Sequence, residues 1–218
     1  MTTPDLLLHY FPLYSEELGI DLSTPSGRFK WFLASILFGA PISEQIAMNT
    51  FRCFDRYGLD NPEQILAAGW DELVRILDEG GYVRYDFSTA TKLLGVLETL
   101  RERYGSLEQL YRAAKDVGDL EQRLREFKGI GPVTAQIFLR ELRGTLQIHP
   151  AVSSRARSVA AKLGIDLGEY EGDTLARLET ALVKLSLRYC KRRKCAECPV
   201  RTACSGAHAV PVRSQLGG

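Results

Sequence analysis

The sequence predicts an all-α protein, and three observations lead to this fold class. Apolar residues recur at helical spacing along nearly all of the 218 residues. Alternating strand patterns are scarce, and Gly, Pro and Asp punctuate the chain at intervals that suit short helices joined by turns. A hydrophobic content of 45% is enough to form a core, so we expect a globular helical protein.

Four helices are predicted in the first part of the chain. Apolar residues at i, i+3 and i+4 mark helices over 29–37 and 46–54, which the sequence "GAP" separates. Pro62 suits the first turn of a third, short helix. A fourth helix over 71–77 ends at the glycine pair 80–81.

The remainder begins with a predicted loop, "GGYVRYDF". Further on, "KGIGPVTAQIFLRELRG" turns tightly at its glycines and re-enters a helix that ends near Gly144. The other predicted helices of this part cover residues 88–104, 106–115, 120–127, 153–163 and 174–189. Trp31, Trp70, Cys53 and most phenylalanines lie at apolar helical positions, which predicts that they are buried.

The sequence carries no signal for export or membrane insertion. No apolar stretch reaches the length of a membrane helix, and acidic residues interrupt the apolar pattern of the N-terminal segment, unlike a signal peptide. We therefore expect a cytoplasmic monomer without a membrane partner, associated with the nucleoid if the source is bacterial. The net charge of +1 excludes no class of partner, but basic residues concentrate near the C-terminal cysteines.

Four cysteines close to the C-terminus form a C-x4-C-x2-C-x5-C run: Cys190, Cys195, Cys198 and Cys204. In a reducing compartment such a cluster is more typical of a metal site than of disulfides. Zinc sites usually combine two separated cysteine pairs, whereas a contiguous run suits a cubane [4Fe-4S] cluster with one thiolate at each corner. Zinc remains the alternative.

The segment Gly129-Ile130-Gly131-Pro132 lies between two predicted helices. Its glycines allow positive φ angles and close approach of a ligand to the backbone. The N–H groups that open the second helix form an anion site, which suits a phosphate. A glycine turn of this kind can also be a mere connector.

The hairpin, followed about sixty residues later by the cysteine run, resembles the endonuclease III branch of the helix-hairpin-helix DNA glycosylases. "FLASILFGAPISE", "FKGIGPVTA" and "PAVSSRARSVAAKLG" are similar to that family's "LLSAQ" junction, "LPGVGRKTA" hairpin and "PAVDTHVxRVxxRLG" helix. The resemblance covers nearly the whole chain. It implies a bilobal all-α fold with a six-helix barrel over 27–134 and a discontinuous cluster domain of 1–26 and 135–218, whose [4Fe-4S] loop spans 190–204.

The resemblance also implies that the partner is double-stranded DNA, and in particular damaged DNA. Contacts would come from the hairpin, from the basic loop between the first two cysteines and from residues around a flipped base. These predicted DNA-binding residues are Lys128, Gly129, Ile130, Gly131, Thr134, Lys191, Arg192, Arg193, Lys194, Pro41, Tyr82 and Tyr85.

The chain departs from the family at its catalytic positions. Val133 stands where bifunctional members carry the lysine that forms a Schiff base, and Ser153 stands at the position of the helix-start aspartate. Asp86 and His149 are candidate substitutes for the lost groups, together with Ser153 itself. Asp86 and Ser153 each have an alternative role as the cap of a helix.

Two functions of different classes follow from this pattern. The first is an atypical, monofunctional DNA glycosylase of base-excision repair, which hydrolyses an N-glycosidic bond without a lysine Schiff base. The second is a non-catalytic protein that binds lesions or unusual DNA structures. A zinc-bearing DNA-binding module is a third interpretation.

Overall fold

All regular structure in the computed structural model, which describes residues 2–206, is helical, and the predicted fold class is therefore confirmed. Within these residues, no helix is both long and apolar enough to cross a membrane. The α-helices are α1 (Thr3–Tyr10), α2 (Tyr14–Glu17), α3 (Pro25–Phe38), α4 (Glu44–Arg56), α5 (Pro62–Glu79), α6 (Asp86–Arg103), α7 (Leu107–Ala113), α8 (Val117–Arg125), α9 (Pro132–Glu141), α10 (Arg143–Leu146), α11 (Ser154–Leu163) and α12 (Gly172–Leu185).

Helical segments that are not α-helical occur only in the last part of the described chain. The segment Ser186–Cys190 is π-helical and continues α12 directly. Three segments have 3-10 geometry: Leu167–Glu169, Cys195–Glu197 and Arg201–Ala203. The cysteine run is therefore built from single turns, not from a regular helix.

The chain divides into two compact units. The central unit is Tyr14–Pro150, and the terminal unit combines the described residues up to Leu13 with those from Ala151 onward. The central unit thus extends beyond the predicted barrel of 27–134 at both ends.

Hydrogen bonds between distant segments explain the larger central unit. The backbone N–H groups of Tyr14 and Ser15 each donate to the buried carboxylate of Glu141 at 3.0 Å. A buried carboxylate needs such donors, because an unpaired charge in the interior is costly. This contact joins segments more than 120 residues apart and holds both flanks of the predicted barrel in one unit.

An aromatic cluster lies at the centre of the central unit. Trp31, Phe32, Phe54 and Phe138 are almost completely buried, as predicted for Trp31 and the phenylalanines. The rings of Phe32 and Phe138 meet edge to face with centroids 5.1 Å apart. The indole N–H of Trp31 donates to the carbonyl oxygen of Phe138 at 3.0 Å, so its one polar atom is satisfied inside the core.

The helix α5 is interrupted at Gly69, whose φ of 75° and ψ of 175° lie outside the helical region. The expectation of two short helices in this part of the chain corresponds to the two arms of α5. Trp70 follows the interruption directly and is 39% exposed, so the prediction that it is buried is wrong. Cys53 is buried as predicted.

The terminal unit has its own apolar core. Helices α1 and α11 both pack against α12, and Leu7 of α1 is fully buried in the same cluster as Leu178 of α12. Lys184 on α12 is also fully buried, and its ammonium group donates to the carbonyl oxygen of Pro12. The N-terminal segment is therefore attached to the C-terminal helices by both apolar and polar contacts.

Candidate functional site

The glycine hairpin joins α8 to α9 in the central unit. Ile130 at its tip is buried, and the Ile130 N–H donates to the carbonyl oxygen of Phe127 at 3.0 Å. Lys128 and Gly129 are exposed. The side chain of Ile130 anchors the turn in the core, so a ligand contact at this residue would be made by its backbone.

The two hairpin glycines have different backbone conformations. Gly129 has a φ of 92°, and a Cβ at this position would lie 2.8 Å from Cγ of Lys92. Gly131 has an extended backbone with φ of −93°, and a Cβ there would meet no group within 4 Å. The turn therefore requires a glycine at 129, while Gly131 leaves open space beside the start of α9.

The N-terminus of α9 has the features of an anion site. Gly131 is its N-cap residue, and no side chain provides a capping hydrogen bond. First-turn N–H groups without a capping acceptor attract anions, with the helix dipole acting in the same sense. Thr134 in this turn is buried with its hydroxyl against Gly39, so a DNA contact at this residue would come from its backbone N–H.

Val133 lies in the same turn, at the position that the resemblance gives to the catalytic lysine. Its side chain is 62% exposed, which is unusual for a valine in a first helical turn that also buries Thr134 and Ala135. The position is therefore accessible, but a valine provides neither an amine nor any other nucleophile.

The four cysteines of the C-terminal run line a single cavity of about 30 Å³ in the terminal unit. Val159, Leu163 and Leu185 contribute apolar side chains to its wall. Burial raises the pKa of the Cys190 and Cys198 thiols. Thiolates at these positions therefore require a bound cation to offset the loss of solvation.

The four cysteines match a [4Fe-4S] cluster in the type and number of their donor atoms. Within residues 2–206, no group of three or more His, Cys, Asp or Glu side chains is arranged so that it could hold a metal ion. A cubane cluster makes a different demand, because each thiolate binds its own iron atom and the four sulfur atoms need not converge on one ion. Four thiols around one small and largely apolar cavity meet that demand in type and number.

The basic loop, residues 191–194, follows the first cysteine of this run, and all four of its side chains are exposed. The ammonium group of Lys194 pairs with the carboxylate of Glu197 at 3.2 Å. Within the described chain, Lys191, Arg192 and Arg193 form no ion pair. The loop therefore presents three uncompensated cations, one fewer than its sequence suggests.

Two of the three candidate catalytic residues lie at helix ends. Asp86 is the first residue of α6, and its carboxylate accepts a hydrogen bond from the Phe87 N–H at 2.7 Å. Ser153 is the N-cap of α11, where its hydroxyl accepts from the Ala156 N–H at 3.3 Å. The prediction that Ser153 caps its helix is confirmed. The alternative role of Asp86 as a cap is wrong, because the N-cap of α6 is Tyr85 and no side chain caps this helix.

Glu179 is a carboxylate that the sequence analysis did not single out. It is fully buried on α12 and accepts a hydrogen bond from the Ser153 N–H at 2.8 Å. It therefore stabilises the start of α11 near the position where the family carries its aspartate. The acidic residue gave no sequence signal, because it lies inside an ordinary amphipathic helical pattern.

His149, the third candidate, is exposed and lines a cavity of about 430 Å³ in the central unit. Asp116 and Tyr111 contribute to the same cavity. Within this unit, neither the hairpin nor the loop with Asp86 contributes to that cavity. Among residues 2–206, no other member of the predicted catalytic set lines the cavity of His149.

The three residues expected around a flipped base differ in accessibility. Tyr82 is 1% exposed and its phenol donates to the carbonyl oxygen of Leu37 at 2.6 Å, so it cannot stack on a base; burial also raises its pKa. Tyr85 is half-buried, with the Arg84 guanidinium 5.7 Å from its ring centroid. Pro41 is exposed.

No protein-family model matches the sequence, and no curated protein matches it either. Function must therefore be inferred from the residues themselves. Among the described residues considered so far, those that could bind an anion or a metal lie in the hairpin, the cysteine cavity and the basic loop.

Proposed function

We propose that the protein binds double-stranded DNA with damage or an unusual structure, through the hairpin and the basic loop. In this proposal the fold is the bilobal helix-hairpin-helix arrangement of the endonuclease III type. The main support is the first turn of α9, where the N-cap Gly131 provides open space and no side chain caps the N–H groups. A DNA phosphate matches this turn in charge and in hydrogen-bonding demand.

The cysteine run supports the same proposal from the terminal unit. Cys190, Cys195, Cys198 and Cys204 would hold a [4Fe-4S] cluster, whose role would be to fix the fold of the coil. The basic loop would then present its exposed cations to the DNA backbone together. Neutralisation of phosphates releases counterions, so binding should weaken steeply as salt rises.

Damaged-DNA binding without catalysis is the form of this function that the side chains favour. Val133 has no amine, Asp86 and Ser153 are engaged at helix ends, and Tyr82 is buried. A monofunctional glycosylase is the second candidate, and the exposed imidazole of His149 is the observation in its favour. Such an enzyme would act on a base that leaves with little assistance.

The DNA-binding proposal is tested by fluorescence anisotropy with a labelled duplex over a range of salt concentrations. Charge reversal of Arg192 and Arg193 to Glu should lower affinity about tenfold or more at low salt and reduce the salt dependence. Charge reversal of the exposed Arg101 and Arg112 is the matched control, since it changes net charge equally. Equal losses in both variants would reduce the effect to net charge and remove the basic loop from the proposal.

Catalysis is tested separately with a panel of damaged duplexes followed by alkali treatment. Release of any base that is lost on His149→Ala would support the glycosylase. Persistent binding without release supports the non-catalytic form. Borohydride trapping on abasic DNA should give no adduct, and an adduct would show that a lysine elsewhere acts as the nucleophile.

A further inference from the structure

A second cavity, of about 550 Å³, lies in the central unit on the flank of the hairpin, and only its hairpin residues belong to the duplex interface proposed above. Its wall comes from three parts of the chain: the start of the second arm of α5, residues 88–98 of α6, and the hairpin residues 128–129. Its chemically distinctive lining residues are Trp70, Ser88, Thr91, Lys92, Glu98 and Lys128.

One side of this cavity is aromatic. Trp70 is 39% exposed and its ring centroid lies 5.3 Å from that of Phe87, which is 60% exposed. The indole N–H donates to Oγ1 of Thr91 at 3.0 Å, and that hydroxyl donates to the carbonyl oxygen of Phe87 at 3.0 Å. The polar atom of the indole is therefore satisfied and its orientation fixed, while much of the ring surface stays in water.

The interruption at Gly69 is what leaves Trp70 outside the core. A φ of 75° is accessible to glycine at little cost and is unfavourable for other residues. A Cβ at Gly69 would meet nothing within 4 Å, so packing does not demand a glycine there. The backbone conformation alone requires glycine, and it directs the next residue towards α6.

The other side of the cavity is cationic. Lys92 is half-buried with its methylene stem against Gly129, and Lys128 is exposed. Neither forms an ion pair within residues 2–206. Burial lowers the pKa of Lys92, which shows that its ammonium group lacks full solvation. Glu98 is the one carboxylate among the lining residues, so the cavity retains an excess of positive charge.

A ligand that suits both sides must combine a planar ring with an anion. Exposed aromatic rings stack on nucleobases without regard to sequence, and lysine ammonium groups bind the neighbouring phosphates. We propose that this cavity binds a nucleotide, with the base on Trp70 and the phosphate between Lys92 and Lys128. The nucleotide is either free or part of an unpaired strand. The site shares Lys128 and Gly129 with the proposed duplex contact of the hairpin, but no residue of the basic loop lines it.

Tryptophan fluorescence offers a direct test, because the chain has two tryptophans and Trp31 is fully buried. Titration of the full-length protein with dTMP and with the single strand dT8 should quench the exposed Trp70. Inorganic phosphate should produce no quenching at the same concentrations. The variant Trp70→Phe retains Trp31 and should show no response to either probe; quenching of that variant equal to the native protein would place the ligand elsewhere and overturn the proposal.

The charge contribution is tested with Lys92→Met, which keeps a stem that can pack against Gly129 and removes the ammonium group. Affinity for dTMP and dT8 should fall at least about tenfold, the value of a lost charge-assisted hydrogen bond. Lys115→Met, at an exposed lysine outside the cavity, should leave affinity unchanged. Native affinity in a folded Lys92→Met would contradict the proposal, and Lys128→Met provides the same test if the first variant does not fold.

The two sources of the nucleotide give different results. Similar affinity for dTMP and dT8 indicates a free nucleotide, whereas much tighter binding of dT8 indicates an unpaired strand. The Arg192→Glu, Arg193→Glu variant should quench normally with both probes. A failure of duplex binding and a failure of this cavity are therefore distinguished within one set of proteins.

Discussion

The hairpin and the cysteine coil are both short, irregular segments, yet they are held in different ways. The hairpin has a buried Ile130, helices of nine and ten residues on either side, and a glycine suited to its φ of 92°. The coil over 190–204 has single turns, half-buried cysteines and Val200 as its one buried side chain. The hairpin is thus held by contacts within the protein, whereas in our proposal the coil depends on the cluster that the cysteines bind.

Loss of the cluster should have the largest effect and should be confined to the coil. Cys198→Ala removes a thiolate, so we expect loss of the broad visible absorption of an iron–sulfur protein and a fall in duplex affinity of about tenfold or more as the basic loop loses its support. Circular dichroism should still report the helices of the central unit. Cys53→Ala is the control, because Cys53 is buried outside the coil and its loss should leave the absorption intact.

A colourless native protein that contains zinc would contradict the assignment of an iron–sulfur cluster to the coil. The coil would still depend on metal, but the donor set would have to converge on one ion, unlike the arrangement described above. Metal analysis of the protein purified without oxygen decides between the two.

The glycines should separate stability from binding in the hairpin. Gly129→Ala introduces a side chain at a positive φ and against Lys92, so the free energy of unfolding should fall by about 1–3 kcal/mol. Gly131→Ala should change stability by less than about 0.5 kcal/mol and yet weaken duplex binding, since its Cβ occupies the open approach to α9. Denaturant melts and anisotropy measure the two effects.

Equal stability of the two glycine variants would mean that the turn is not fixed by its backbone. In that case the hairpin would resemble the coil and the contrast between the segments would be lost. Unchanged duplex affinity of a folded Gly131→Ala would instead remove the α9 N-terminus from the proposed interface.

Ser153→Ala should have a smaller effect. It tests whether the dependence on metal is confined to the coil. Ser153 caps α11 in the terminal unit, and loss of this cap should cost about 1 kcal/mol in the free energy of unfolding, with no change in visible absorption. Loss of the absorption along with the cap would show that the whole terminal unit depends on the metal. Ser153→Thr keeps a capping hydroxyl and is the matched control.

Tyr82→Phe should have the smallest effect and should test the corrected role of this residue. Its phenol donates to a buried carbonyl, so its removal should cost about 0.5–1.5 kcal/mol. Duplex affinity should stay the same because the ring lies in the core. A selective loss of binding without loss of stability would return Tyr82 to the DNA interface.

The spacing of apolar residues predicted most of the helices, and the glycines predicted the tight turn of the hairpin. The pattern did not reveal α1, although Thr2 and Asp5 form a capping box at its start. Predictions from local sequence patterns failed where the folded backbone or a contact with a distant segment determines the burial of a side chain. The burial of Tyr82 depends on Leu37, which is 45 residues away. The exposure of Trp70 has a different cause, the backbone conformation of the adjacent Gly69, which the apolar spacing did not predict.

In the candidate site, too, features that are local in sequence were predicted and most features that depend on the three-dimensional structure were not. The cysteine spacing identified four residues that line one cavity, because their ligand chemistry is local in sequence. The pairing of Lys194 with Glu197 was not predicted, although the two residues are only three apart. Several basic side chains lie near Glu197 in sequence, and the geometry of the turn determines which of them forms the ion pair. The buried carboxylate of Glu179 near Ser153 requires two helices to meet and left no trace in the sequence pattern.

Arg193 has a φ of 55°, a left-handed conformation that asparagine or glycine adopts more readily. An arginine there costs about 1–2 kcal/mol relative to glycine. Random substitution towards easier residues would therefore be tolerated, or even favoured, if only folding mattered. The turn therefore holds a cation at a conformational cost, which an Arg193→Gly variant would remove together with the charge.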